Sequence, residues 1–184
     1  MRSWLDGELS LPRRLLVAAI GLGLAALLFR SAIADGLVTR GDELLVAASL
    51  ERAQVYYARA LRIDASPIAA ERFAFAGLMR HTRSALRDAI GVANGALDRM
   101  PGDTALLVDR ALARIALGEY GAACLDFQRL GAATGNAAYY EFAAQAARRA
   151  GARNTARRLF ERVLRLNPHF AAARRALAML DTHR

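Results

Sequence analysis

The sequence predicts an all-α chain. It reads as an α-solenoid of about four helix-turn-helix repeats with a C-terminal capping helix, behind one N-terminal transmembrane helix. Three observations lead there. Apolar residues make up 55% of the 184 but aromatics only 7%, so much of the apolar share is alanine, the strongest helix former. Small and aromatic residues recur together at intervals of about 34 residues, the spacing of stacked helix pairs. Residues 15–29 (LLVAAIGLGLAALLF) are wholly apolar.

The chain divides into residues 1–14, a short segment expected in the cytoplasm, 15–34, a span or signal sequence, 35–170, the repeat array, and 171–184, the cap and tail. Arg2, Asp6, Glu8, Arg13 and Arg14 alternate with Trp4, Leu5, Leu9 and Leu11 at the start, which suits an interfacial segment or a tail. Two readings of the apolar run stand. One is a secretory signal with Ala32, Ile33 and Ala34 as a small-x-small cleavage site. The other is a membrane anchor. Fifteen helical residues reach about 22 Å against a hydrocarbon core of about 30 Å. Extension to Ala34 gives the needed length, with Arg30 snorkelling to the interface. Acidic residues in the leader and Arg30 beside the cleavage site tilt the balance to the anchor. Arg13 and Arg14 then hold the N-terminus in the cytoplasm, and the repeats lie on the far side, in a periplasm.

The clearest repeat occupies residues 137–168. Tyr140, Ala143, Ala144 and Ala147 mark its first helix, Gly151 its turn, and Ala156, Phe160 and Val163 its second. Gly151 accepts the left-handed conformation that ends a helix. Ala156 lets the two helices approach, and Pro168 forbids continuation. Earlier copies share the register. The first starts near Ala34, with Gly41, Ala53, Tyr57 and Ala60; Ala65 stands at the closing-proline position, two residues before Pro67. The second, from about Ala70, has Gly77, Ala89, Ala96 and Pro101, with residues 81–84 in place of a glycine turn. The third, from Thr104, has Arg110, Ala111, Gly118, Tyr120, Ala123 and Phe127. Its second helix is expected over residues 120–130, before Gly131 and Gly135. Residues 171–180 supply the amphipathic cap that a stacked array needs.

Jointly these positions resemble the tetratricopeptide repeat (TPR) family over about 150 residues. The resemblance implies that the first helices of successive repeats line a concave groove for a protein partner. Carried over position by position, the partner-binding groove comprises Val38, Asp42 and Leu45 in the first repeat and Leu78 and His81 in the second. The third repeat gives Val108, Leu112 and Ile115, and the fourth Glu141, Gln145 and Arg148. Its middle is apolar, its N-terminal end acidic and its C-terminal end mixed to basic, which suits an extended or amphipathic segment with apolar anchors. Chaperone-binding members grip a carboxylate with Lys and Asn. Val38, Ala74 and Val108 occupy one of those positions here, which argues against that activity. The layout is similar to that of small membrane-anchored repeat proteins that assist assembly of envelope complexes, so membrane or envelope complex subunits are the expected partners.

The formal charge of +9 is uneven. From residue 137 onward ten arginines face Glu141, Glu161 and Asp181, giving +7. Arg153, Arg157, Arg158, Arg162 and Arg165 form a basic surface, expected on the convex side as a solvated face or a site for an acidic partner or lipid. Nucleic acid ranks below these, since no nucleic-acid motif accompanies the charge. Catalysis is not expected. His81, His169 and His183 lack metal-ligand spacing with one another or with Cys124. No phosphate loop or G-x-S-x-G element occurs. Neither metal nor cofactor is expected, and the lone Cys124 reads as a packed thiol. The alternative to an anchored scaffold is a cleaved periplasmic module whose basic end binds an acidic partner, lipid or glycan surface.

Overall fold

The computed structural model describes residues 11–182. The first ten residues of the expected cytoplasmic segment, with His183 and Arg184, lie outside the described residues. Nine helices occur among the described residues: α1 (Leu11–Val46), α2 (Leu50–Ile63), α3 (Pro67–Arg80), α4 (Arg83–Arg99), α5 (Thr104–Leu117), α6 (Tyr120–Thr134), α7 (Ala137–Arg149), α8 (Arg153–Leu166) and α9 (Ala171–Thr182). Consecutive helices pack on one another throughout, and paired contacts run antiparallel. The Tyr57 hydroxyl donates to Asp42 Oδ1 at 2.7 Å, and Arg30 Nη2 to the Ile63 carbonyl at 2.6 Å. The stack is the expected solenoid.

Alanine makes the close stacking work. Ala53, Ala60, Ala69, Ala93, Ala111, Ala123, Ala143, Ala144 and Ala156 are all fully buried. Larger side chains sit where the layers leave room. Tyr57 centres a core shared by α1, α2 and α3, while Leu106, Leu107, Leu130, Phe160 and Val163 belong to a longer core running to Leu180.

Left-handed residues end several of the helices. Gly118, Gly135 and Gly151 carry φ of 80°, 68° and 75°. His81 takes the same left-handed place at φ 54°, so the pair α3–α4 is turned without glycine. Thr82, Asp103 and Asn136 then accept from backbone N–H groups at the starts of α4, α5 and α7, satisfying donors that a helix start leaves open.

α1 is unbroken, so the apolar run and the first repeat helix are one element, as the lack of any Gly, Pro or Ser linker between them leads one to expect. The helix boundaries depart from the sequence expectation in two places. Pro67 opens α3, three residues before the second repeat's expected start near Ala70; its missing N–H is no loss at a first helical position. α6 continues through Gly131 to Thr134. Gly131 is there for packing: a Cβ on it would stand 2.8 Å from the Tyr140 ring.

Gly77 shows the same crowding. An added Cβ would meet the Ala85 carbonyl oxygen at 2.8 Å and the Ala89 Cβ at 3.0 Å. Gly77→Ala should therefore lower stability by about 1–2 kcal/mol, even though alanine is the better helix former by about 1 kcal/mol. Gly91, also helical, has nothing within 4 Å, and Gly91→Ala should stabilise by up to about 1 kcal/mol. Urea titration of the pair checks this. Equal shifts of one sign would show that packing does not distinguish them.

Candidate partner-binding groove

Beyond the sequential contacts, α1 meets α3 and α3 meets α5. The first helices of the pairs thus lie on the inner side of the curve. α5 and α7 are not packed in this way, and a cleft opens between them.

That cleft, about 300 Å³, is lined by Leu112, Ile115, Phe142, Glu141, Gln145 and Arg149. Leu112 is 40% exposed and Phe142 48% exposed, a large apolar pair left without full cover. The Phe142 ring leans on Phe127, centroid to centroid 5.5 Å, which gives the cleft a firm aromatic floor. Polar groups rim it in a chain. Gln145 Nε2 donates to Glu141 Oε1 at 2.9 Å, and Arg148 Nη2 donates to Gln145 Oε1 at 3.0 Å. Arg149 lies 5.6 Å from the Tyr120 ring centre, so the C-terminal lip is cationic.

A second hollow, about 360 Å³, lies on α3, α5 and α7. Glu71, Arg72, Phe75, Val108, Asp109 and Tyr139 line it. The Asp109 carboxyl is pushed up to about 6, first by burial and then by the charges of Glu71 and Asp103. The Glu71 carboxyl is raised too, by burial first and then by Asp103, with Arg72 opposing. The groove thus passes from an anionic N-terminal part, through Val108, Leu112 and Phe142, to an arginine lip.

The structure distributes the sequence-derived positions unevenly. Leu112, Ile115, Glu141 and Gln145 meet in the cleft, with Arg148 at its rim, and Val108 lines the second hollow. Val38 is buried and Leu45 half-buried in the Tyr57 core. Asp42 accepts the Tyr57 hydroxyl and pairs with Arg72 at 3.4 Å, holding α1, α2 and α3 together. Leu78 is half-buried, and His81 is the exposed left-handed residue ending α3. Phe75, Asp109, Tyr139 and Phe142 were not among the carried-over positions. The signal for Phe142 was a large aromatic on an alanine-rich helix, lying off the stripe of Tyr140, Ala143, Ala144 and Ala147 that the repeat pattern buries.

The basic surface is partly spent on packing. Arg157 pairs with Asp181 and Arg153 donates to the Leu180 carbonyl, both tying α9 to α8. Arg162 stacks over the Tyr140 ring at 4.1 Å, and Arg158 donates to Thr155 Oγ1 at 3.2 Å. Arg165 is exposed. Cys124 is buried, and burial raises its thiol above its ordinary value, so the reactive thiolate is disfavoured.

A pH test follows for Asp109. Its folded value lies above its ordinary value of 3.8, so the folded state binds the proton more tightly than the unfolded chain. Stability from this group therefore rises as pH falls through about 6, and the ionised carboxylate is a cost at pH 7. The cost is about 1–2 kcal/mol once screening at a partly exposed site is discounted. Asp109→Asn should gain that amount at pH 7 and flatten the pH dependence of the thermal midpoint between about 4 and 6. A variant no more stable than the parent at pH 7 would contradict it.

No family model and no curated protein matches the sequence. Solved structures are similar in fold. MamA from Desulfovibrio magneticus is 15% identical, with 82% of this chain and 85% of that one covered, at a TM-score of 0.66. A tetratricopeptide repeat protein from Parabacteroides merdae is 19% identical at a TM-score of 0.65. That match covers 82% of this chain and 59% of the other, so this chain spans less than two thirds of its length. PilF of Pseudomonas aeruginosa is 20% identical at a TM-score of 0.57, covering 82% of this chain and 68% of that one.

Proposed function

The chain has the tetratricopeptide-repeat fold, and from that premise we propose that it is a non-catalytic scaffold whose groove holds a segment of a partner protein. The observation that carries this is the cleft between α5 and α7, where Leu112 and Phe142 remain exposed on a rigid floor. Burial of such residues at the centre of an interface, inside a polar rim, is where binding energy concentrates. The partner segment offers apolar side chains to this cleft, a cationic group toward Glu71 and Asp109, and an acidic one toward Arg148 and Arg149.

The outer half of α1 supports an anchored form of the scaffold. The helix has a segment long and apolar enough to cross a membrane, with none of that window buried in the protein. Cleavage after Ala34 would cut α1 at a buried residue and remove the Arg30 bond to Ile63, which supports retention over processing. With Arg13 and Arg14 cytoplasmic, the array lies on the periplasmic side of a single-pass protein. There it assists assembly or maturation of a membrane or envelope complex.

The test is capture by the full-length protein in mild detergent, with bound proteins identified by mass spectrometry. Leu112→Arg should abolish capture of the stoichiometric partner, and Phe142→Ala should weaken it about tenfold or more, both with unchanged circular dichroism. Capture that survives in folded variants would remove the cleft as the binding surface. Alkaline carbonate extraction tests the anchor separately: release of the intact chain into the supernatant would overturn it.

A further inference from the structure

The helix that carries the apolar run also selects which edge of the array meets a bilayer. Leu15, Leu16, Val17, Leu22, Leu28 and Phe29 are each more than half exposed, whereas Ala34 is buried under the array. Arg30 marks the junction, since its guanidinium donates to the Ile63 carbonyl at the C-terminal end of α2. The free apolar stretch, residues 15–29, rises about 22 Å, short of a hydrocarbon core of about 30 Å. A span that short, continued by an unbroken helix into a folded array, leaves no room for the array to stand off. The headgroup layer must reach the level of Arg30 and Ile63, with the bilayer thinning locally if needed.

What lies at that level is the turn from α2 to α3. Arg62, Pro67 and Ile68 are exposed there, Ile68 by 57%. Because successive helices run antiparallel, the turn from α4 to α5 falls on the same edge, with Arg99 and Pro101 exposed. Asp64 and Asp98 also sit on this edge, so it is a mixed polar surface with apolar projections and not a cationic plate. The opposite edge ends α1 at Val46, which is 90% exposed.

Resting on the anchored reading above, we infer that the edge formed by the α2–α3 and α4–α5 turns lies on the surface of the bilayer that holds α1. Ile68 enters the interfacial layer, while Arg62 and Arg99 meet lipid phosphate groups. The array lies on its side, with its stacking direction along the membrane plane near the anchor.

Depth-dependent fluorescence quenching tests this with the full-length chain in phosphatidylcholine–phosphatidylglycerol vesicles. Single fluorophores are placed through Leu22→Cys, Ile68→Cys, Pro101→Cys and Val46→Cys in a Cys124→Ser background, each checked by circular dichroism. A spin label on the headgroup should quench the probe at 68 several-fold more than the probe at 46, with 101 between them, while an acyl-chain label quenches the probe at 22. Quenching at 22 with equal, low quenching at 68 and 46 would overturn the docked edge and leave the anchor standing. Absence of quenching at 22 would overturn both.

Discussion

Asp126→Ala should destabilise the array by about 3–5 kcal/mol, the cost of stranding a buried charge. Asp126 is 1% exposed and holds two guanidiniums at once. Arg110 donates from Nη2 to Oδ1 at 2.6 Å and from Nε to Oδ2 at 3.0 Å, and Arg114 donates from Nη1 to Oδ2 at 2.6 Å. Arg110 reaches further, to Asn94 Oδ1 at 2.8 Å, so the cluster ties α4, α5 and α6 together at the middle of the stack. Without the carboxylate, two largely buried guanidiniums lose the anion they share. The triple change Arg110→Met, Arg114→Met, Asp126→Leu should recover most of the loss, because a well-packed apolar set can match a buried ionic one. Urea titration followed by circular dichroism reads both. If the single variant loses less than about 1 kcal/mol, water reaches the cluster and the charges are not truly buried.

Phe160→Ala should cost about 3–5 kcal/mol, and the loss should be local. Phe160 is fully buried in the core that runs from Ala70 to Leu180, whereas Tyr57 sits in a separate cluster on α1, α2 and α3. In a stack, each pair contacts only its neighbours, so stability is close to a sum of pair and interface terms. Hydrogen exchange should therefore accelerate across α7, α8 and α9 while amides of α2 and α3 keep their protection. Uniform acceleration from α2 to α9 would mean that the array unfolds as one unit, and the two-core description would fall.

Most of the helical layout was legible in the sequence, and the reason is physical. Gly151, Ala156, Phe160 and Pro168 each do one mechanical job, so the same residue types must return at the same offsets. What escaped was whatever that logic does not require. Arg110 stands at a repeat position, but Asp126, sixteen residues on and on another helix, alone looks like a solvent-facing charge. Only the packing of α5 on α6 turns them inward together. Gly131 resembles a helix stop but is a seat for the Tyr140 ring. The groove was half legible. Leu112, Ile115, Glu141 and Gln145 fell in the cleft because curvature opens the stack between α5 and α7. Val38 and Leu45, at equivalent repeat positions, are covered by the α1–α3 core where the stack stays closed.

The lack of any break in α1 has a consequence for encounter kinetics. With no hinge between the outer helix and the array, a chain held in a bilayer carries its cleft at a set height instead of sweeping a hemisphere. The thirteen residues from Ala34 to Val46 rise about 20 Å, so the groove would patrol a thin layer just above the lipid. A partner confined to the same membrane would meet it by lateral diffusion, at an effective concentration far above that of a freely dissolved chain. An interface of modest intrinsic strength would then be enough to keep the two together. Inserting a short glycine-serine linker after Ile33 would relax that geometry, and the apparent affinity for a membrane-bound partner should fall while affinity for the same segment as a free peptide stays constant.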